Sequence, residues 1–155
     1  MLVTIHQPHY LPWLGYMHRM ARADVFVLLD HVQFERGNGS SYQNRTRIRM
    51  HGDPDCVARW LTVPVAQRSL SERILDKEVD PGWRSASHAS TLRHAYREAT
   101  HLGRYWPAVK ELLARPWQRL IDLNIASIEL LREAFGIATP LVRSSTLEVS
   151  GAKSG

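Results

Sequence analysis

The sequence predicts an α/β fold: a Rossmann-like parallel sheet that opens with a strand–helix–strand unit, followed by a helical C-terminal half. Three observations carry this. Two short apolar, β-branched runs, "LVTIH" and "DVFVLLD", frame eighteen residues, His6 to Ala23, that end in the helix-like "LGYMHRMARA". The second run is continuous rather than alternating, as in a strand covered on both faces. From Trp83 onward the apolar period changes to that of helices. A helix joining two neighbouring strands makes them parallel and the crossover right-handed.

Taken in order, "LVTIH" is the first strand, a loop with two prolines follows, and "LGYMHRMARA" is the crossover helix. "DVFVLLD" is the second strand. The next stretch, "HVQFERGNGSSYQNRTRIRMHGDPD", holds three glycines and several Asn and Ser residues, a turn composition in a connection long enough to be substrate-facing. Within it "YQNRTRIR" places Arg45, Arg47 and Arg49 on one face if the backbone is extended. "WLTVPV", Trp60 to Val65, reads as a strand with Pro64 near its end, suiting an edge position, and "ILDKEV" as another short strand. Three helices are expected next: "WRSASHASTLRHAYREA", "YWPAVKELLA" with Pro107 in its first turn, and a third begun by Pro116 and closed by Gly136. The third carries Trp117, Leu120, Ile121, Ile128, Leu131 and Phe135 on one face, with Asn124 among them. Asn124 is there either as a satisfied core group or as a group aimed into a site. "TPLVRSSTLEV" is a final strand.

With 155 residues, 44% hydrophobic and 23% charged, the chain has the composition of one globular domain, expected over 1–149 with 150–155 a disordered or truncated tail. No run of eighteen apolar residues and no leader pattern occurs, so no membrane span is expected and the cytoplasm is the expected compartment. The single cysteine, Cys56, excludes an internal disulfide and reads as an inert thiol. A net charge of +5 permits an acidic partner such as a nucleotide phosphate.

The chemistry concentrates in "HQPHYLPWLGY". The loop leaving the first strand of a parallel unit lies at the carboxyl edge of the sheet, where ligands bind beside a helix N-terminus. Pro8 and Pro12 restrict it, Gly15 permits close approach, and His6, Gln7, His9, Tyr10, Trp13 and Tyr16 supply ring faces and polar edges. Asp30, at the carboxyl end of the second strand, and His6 are the candidate proton acceptors, and Gln33 offers both a donor and an acceptor. Arg45 and Arg47 suit phosphate. The other basic residues are dispersed among acidic ones, which argues against a dedicated nucleic-acid groove. No dinucleotide fingerprint, P-loop or nucleophile elbow is present, and His88, His94 and His101 lack the spacing of a metal-binding pair, so no metal is expected. Nucleotidylyltransferases carry a proline and an H-x-G-H in the position of this loop. Here Tyr16 replaces the second histidine and the first is displaced.

The blocks "QPHYLPWLGY", "LDHVQF", "YQNRTRIR", "LNIASIELLREAFGI" and "RSSTLEVSGAKSG" together closely resemble the WbqC-like family of bacterial proteins, over nearly the whole chain. The resemblance implies a role in making modified sugars of O-antigen and other surface polysaccharides. It also carries over motif positions at Gln7, Pro8, Tyr10, Leu11, Pro12, Trp13, Gly15, Tyr16, Asp30, Gln33, Phe34, Asn44, Arg45, Arg47, Ser144 and Ser145. Relative to the family the segment "ERGNGSSYQ" is longer, with Tyr42 where members tend to have tryptophan, and the chain looks shortened at its C-terminus.

The reading is a transferase acting on a nucleotide-linked sugar, with His6 or Asp30 handling the proton. Gln7, His9, Tyr10, Trp13, Gly15, Tyr16, Gln33, Asn44, Arg45 and Arg47 bind the nucleotide or nucleotide-sugar. The alternative is a non-catalytic sugar-nucleotide or partner-binding protein, and behind it a nucleic-acid-binding protein that uses the arginine stripe. The sequence specifies neither cofactor nor oligomeric state.

Overall fold

The computed structural model describes residues 1–35, 41–50, 52, 55, 57–67, 69 and 71–147; Cys56 and the tail from residue 148 lie outside them. The strand–helix–strand opening is present as β1 (Val3–His6), α1 (Leu14–Arg22) and β2 (Val25–Leu28). β1 and β2 are parallel, in register from Val3 with Val25 to His6 with Leu28. β5 (Leu141–Arg143) joins the far side of β2, also parallel, giving the order β1-β2-β5. The central position explains the unbroken apolar run of β2, whose Phe26 and Leu28 are fully buried, while edge strand β1 leaves Val3 and Ile5 exposed. α1 buries Tyr16, Met17 and Met20 against Phe26 and Leu28. Each such side chain stabilises the packing by roughly 1.5–3 kcal/mol.

A second, antiparallel sheet of two strands is formed by β3 (Arg45–Arg49) and β4 (Ala58–Thr62). Period-two alternation sets its faces: Thr46, Ile48 and Leu61 are buried, while Arg45, Arg47 and Arg49 stand on the other side. β4 starts before Trp60 and stops at Thr62 rather than running through Pro64. "ILDKEV" is not a strand. Ile74 and Leu75 donate backbone bonds to Val32 and Asp30, and the chain tightens there into a 3₁₀ turn, Ile74–Asp76, with isolated bridges at Glu78 and Val79 after it. Lys77, 1% exposed, pairs at 2.6 Å with Glu72 and lies over Phe34, a buried cation that no strand pattern would announce.

The helical half consists of α2 (Ser85–Ala95), α3 (Leu102–Ala114) and α4 (Leu120–Ala134). α3 begins three residues before Tyr105, so Pro107 lies inside it rather than in its first turn. α4 starts at Leu120, which leaves Pro116 and Trp117 in the approach, and Phe135 is half exposed. Gly136 ends it as expected: φ is +64°, its N–H bonds to Glu133, and Ile137 N–H bonds to Arg132, the pattern of a Schellman cap. α4 joins two cores. Leu120, Ile121 and Leu123 pack with the hairpin and α2 and α3, while Ile128 packs with α1 and the parallel sheet. After β5 the chain forms a 3₁₀ turn, Ser144–Thr146, where a longer strand is predicted. No helix among the described residues is long and apolar enough to cross a membrane.

Candidate functional site

The loop after β1 is held by neighbours from two elements. From α4, Asn124 Nδ2 donates to the carbonyls of Pro8, at 3.2 Å, and Gln43, at 2.7 Å. Ser127 Oγ accepts the Leu11 N–H at 3.1 Å, and from β3 Thr46 Oγ1 donates to the Leu11 carbonyl at 2.9 Å. Leu11 needs both, because its φ of +43° is a left-handed conformation that costs a non-glycine residue roughly 1–2 kcal/mol. The consecutive side chains of His9 and Tyr10 part, His9 to the cleft and Tyr10 to the core. Tyr10 is fully buried in the hairpin core, where its hydroxyl meets His88 Nδ1 at 3.0 Å. Since His88 Nε2 faces the Thr62 carbonyl, Nε2 carries the proton and Nδ1 accepts from Tyr10.

His6, Gln7, His9, Trp13, Glu35, Ser41 and Tyr42 line a cleft of about 400 Å³ at the carboxyl edge of β1. Trp13, at the N-cap of α1 and 46% exposed, folds back over Gly15, where any Cβ would overlap its ring. This is the close approach that a glycine permits. One wall is a closed polar ring: Gln43 Nε2 donates to Gln7 Oε1 at 2.8 Å, Gln7 Nε2 to Glu35 Oε1 at 3.2 Å, and Glu35 N–H to Gln43 Oε1 at 2.9 Å.

Beneath lies a cluster of three rings. His6 is 4.7 Å from His9 and 4.8 Å from Tyr16, and His9 is 5.1 Å from Tyr16. His9 is 6% exposed and Tyr16 fully buried, yet among the described residues His9 Nδ1 and the Tyr16 hydroxyl have no hydrogen-bond partner. Burial, aided by His6, lowers the His9 imidazole to about 3, so it is neutral at pH 7, and burial pushes the Tyr16 phenol up. The His6 value is lowered mainly by burial, partly countered by its bond to the Gln7 carbonyl, with Arg19 adding a smaller decrease. A carbonyl can only accept, so His6 Nδ1 at 3.2 Å is the protonated nitrogen and Nε2 holds the lone pair.

The predicted residues thus separate. His6, Gln7, His9 and Trp13 come together in the cleft, Gly15 lies under Trp13, and Tyr16 forms the floor of the ring cluster. Tyr10 turns into the core. Asn44 closes the hairpin instead, donating to the Val63 carbonyl at 2.8 Å, and exposed Gln33 sits in a bridge with Arg73. Asp30 does not line the cleft, and its carboxylate is occupied by four donors. Its Oδ1 accepts from Ser144 Oγ and Ser145 N–H, its Oδ2 from Arg143 Nε and Ser145 Oγ, at 2.7–3.0 Å. Burial alone would raise its carboxyl, but the bonds from Ser145, Arg143 and Ser144 outweigh it and hold the group below its ordinary value. Among the described residues no three His, Cys, Asp or Glu side chains gather as metal ligands would.

Glu35, Ser41, Tyr42 and Gln43 were not among the predicted site residues. The one signal was their place in the long connection after β2. Arg45 and Arg47 lie beside the cleft: Arg45 Nε donates to the Ser41 carbonyl at 2.9 Å, and both guanidiniums rest on Trp60, 4.3 and 4.7 Å from its ring centroid. Trp60 touches Tyr42 at 5.2 Å, and Tyr42 stacks on His9 at 5.6 Å, so rings run unbroken from the cleft to the hairpin.

The chain is 26% identical over 153 residues to the uncharacterized protein Rv1507c of Mycobacterium tuberculosis (strain ATCC 25618 / H37Rv). The match covers 97% of this chain and 63% of that protein, so the chain spans less than two thirds of the relative's length. No solved structure matches. The family profile described as "WbqC-like protein family" matches residues 7–155, from the first residue of the cleft loop after β1 to the end of the sequence, and the chain belongs to that family.

Proposed function

We propose that the chain is a transferase that moves an activated acyl or nucleotidyl group onto an amino or hydroxyl group of a nucleotide-linked sugar. The observation that carries this reading is His9 Nδ1, a buried polar atom with no partner among the described residues, in a residue that lines a polar cleft at the carboxyl edge of a parallel sheet, with the Tyr16 hydroxyl in the same state behind it. An unsatisfied buried polar group costs roughly 1–3 kcal/mol, which a ligand hydroxyl that reaches His9 recovers. Trp13 offers a ring face to a sugar, Gln7 and Glu35 fix its hydroxyls, and Arg45 and Arg47 stand on the phosphate side. His6 takes the proton. As the acceptor oxygen or nitrogen attacks the activated carbon or phosphorus, its proton passes to Nε2 and the leaving group departs with the bonding pair.

Calorimetry with UDP-, dTDP- and GDP-linked sugars tests binding. Mass spectrometry of mixtures with acetyl-coenzyme A or nucleoside triphosphates tests transfer. We expect at least one sugar nucleotide to bind and be modified, and His6→Gln to keep binding within a few-fold while losing roughly 100-fold or more in turnover. No binding at millimolar levels removes the reading. Binding without any transfer leaves a non-catalytic sugar-nucleotide protein.

A further inference from the structure

The outer face of the β3–β4 hairpin carries more than a solvated stripe of charge. Arg45, Arg47 and Arg49 alternate along β3, and Arg47 stands opposite Trp60 in the register. Two of the three guanidiniums, those of Arg45 and Arg47, converge on the one indole. Among the described residues none of the three arginines has a carboxylate partner, although other arginines pair: Arg73 with Asp76, Arg115 with Glu111, Arg132 with Glu129, Arg143 with Asp30. Two like charges gathered onto one ring repel, and the arrangement is favoured when an anion lies between or across them.

The ring also limits what that anion is. A surface built to stack nucleobases along a single strand leaves its aromatic faces open. Here two guanidiniums lie over Trp60, and Tyr42 meets it edge-on, so its role is to hold cations in place. Arg45 is held twice, by Trp60 and by its Nε bond to the Ser41 carbonyl, which leaves its terminal nitrogens for a ligand. Ser41 and Tyr42 line the cleft, so the cationic pair begins where the cleft ends. A guanidinium fork matches one phosphoryl or carboxylate group, and two forks held on one indole match two linked phosphoryl groups better than a single carboxylate. Glu35, inside the cleft, keeps that charge at the hairpin end.

We infer that the outer face of the hairpin is a diphosphate clamp, in which Trp60 positions Arg45 and Arg47 beside the cleft. This deepens the proposed function and rests on it only in placing the sugar in the cleft. The diphosphate is either part of a nucleoside diphosphate conjugate or free pyrophosphate, the leaving group of nucleotidyl transfer.

The test is calorimetry at fixed, moderate salt with uridine, UMP, UDP, UDP-glucose, inorganic pyrophosphate and a ten-residue oligothymidylate. The proteins are the whole chain and its R45Q/R47Q and Trp60→Leu variants, each first confirmed folded by circular dichroism, with Trp60→Phe as the conservative control. We expect UDP to bind at least tenfold tighter than UMP, and pyrophosphate to bind the wild type. R45Q/R47Q should lose tenfold or more for both while uridine is unchanged. Trp60→Leu should lose the preference for UDP over UMP, and Trp60→Phe should restore most of it. UDP binding much tighter than pyrophosphate identifies the conjugate, and equal affinity identifies the free diphosphate. Pyrophosphate binding that depends on the arginines supports the clamp even when no sugar nucleotide is modified. UDP-glucose binding unaffected by R45Q/R47Q overturns the clamp and leaves the proposed transferase standing. UDP no tighter than UMP overturns it as well, and so does oligothymidylate binding that needs Trp60 and outcompetes UDP.

Discussion

His9 carries the most legible electrostatic consequence of the site. Burial and the neighbouring His6 lower its imidazole from the ordinary 6.5 to about 3. The native ring stays neutral while an unfolded chain takes up the proton, so between pH 6.5 and 3 the unfolded state binds more protons. The stabilisation is whole above 6.5 and lost as pH falls towards 3, at no more than about 1.4 kcal/mol per pH unit for one group. His6 and His88, also lowered chiefly by burial, act in the same direction, and Asp30 adds to it only below its ordinary carboxylate value. Urea unfolding at pH 7, 6, 5 and 4 is expected to show stability falling with acid, and more shallowly in His9→Asn. Equal slopes in the two proteins would mean that His9 protonates without cost. At this scale the sequence marks the loop but not the direction of each ring. His9 and Tyr10 are adjacent and both carry rings, and contacts far away in the chain hold one at the cleft, against Tyr42, and the other in the core, against His88.

Among the elements, α4 does two jobs that its sequence announces unequally. Its apolar stripe predicts a core helix and Gly136 its end, because both depend on local periodicity and backbone geometry. Asn124 lies on that stripe, and which of its two readings holds depends on the carbonyls of Pro8 and Gln43, far away in the chain. Its side chain clamps the cleft loop to the start of the hairpin, and its Oδ1 has no partner among the described residues. Asn124→Leu keeps the size but strands two buried carbonyls at roughly 1–3 kcal/mol each, offset by removal of the unpartnered Oδ1. We expect a net loss of about 2 kcal/mol in urea. We also expect faster hydrogen exchange at the Tyr10 and Leu11 amides, which bond to the Tyr42 carbonyl and Ser127. An unchanged midpoint would show that water reaches these carbonyls. The misread element, "ILDKEV", fails for the same kind of reason: its apolar residues suit a strand, but long-range bonds to Val32 and Asp30 and the buried Lys77–Glu72 pair fix a turn.

For the molecule as a whole, the third strand of the parallel sheet is secured from a distance. Asp30 lies two residues past β2, and its carboxylate collects four bonds from Arg143, at the end of β5, and from Ser144 and Ser145 just after it, so residues more than a hundred apart in sequence are tied at one carboxylate. Sequence alone marks Asp30 as important because a carboxylate at a strand's carboxyl end is well placed for chemistry. Its actual work needs the later segment to be folded beside it. A catalytic carboxylate and a structural one predict different behaviour for Asp30→Asn. The amide would turn one acceptor oxygen into a donor facing hydroxyl, amide or guanidinium donors, leaving buried groups unsatisfied and Arg143 without its partner. Since Arg143 is itself partly exposed, solvent recovers some of the ion-pair loss. We expect a cooperative loss of about 3 kcal/mol, seen as a drop in Tm of roughly 10 °C. Below that transition, binding in the cleft should be unchanged, because Asp30 does not line it. Normal stability with lost turnover would instead return Asp30 to the chemistry and His6 to a supporting place.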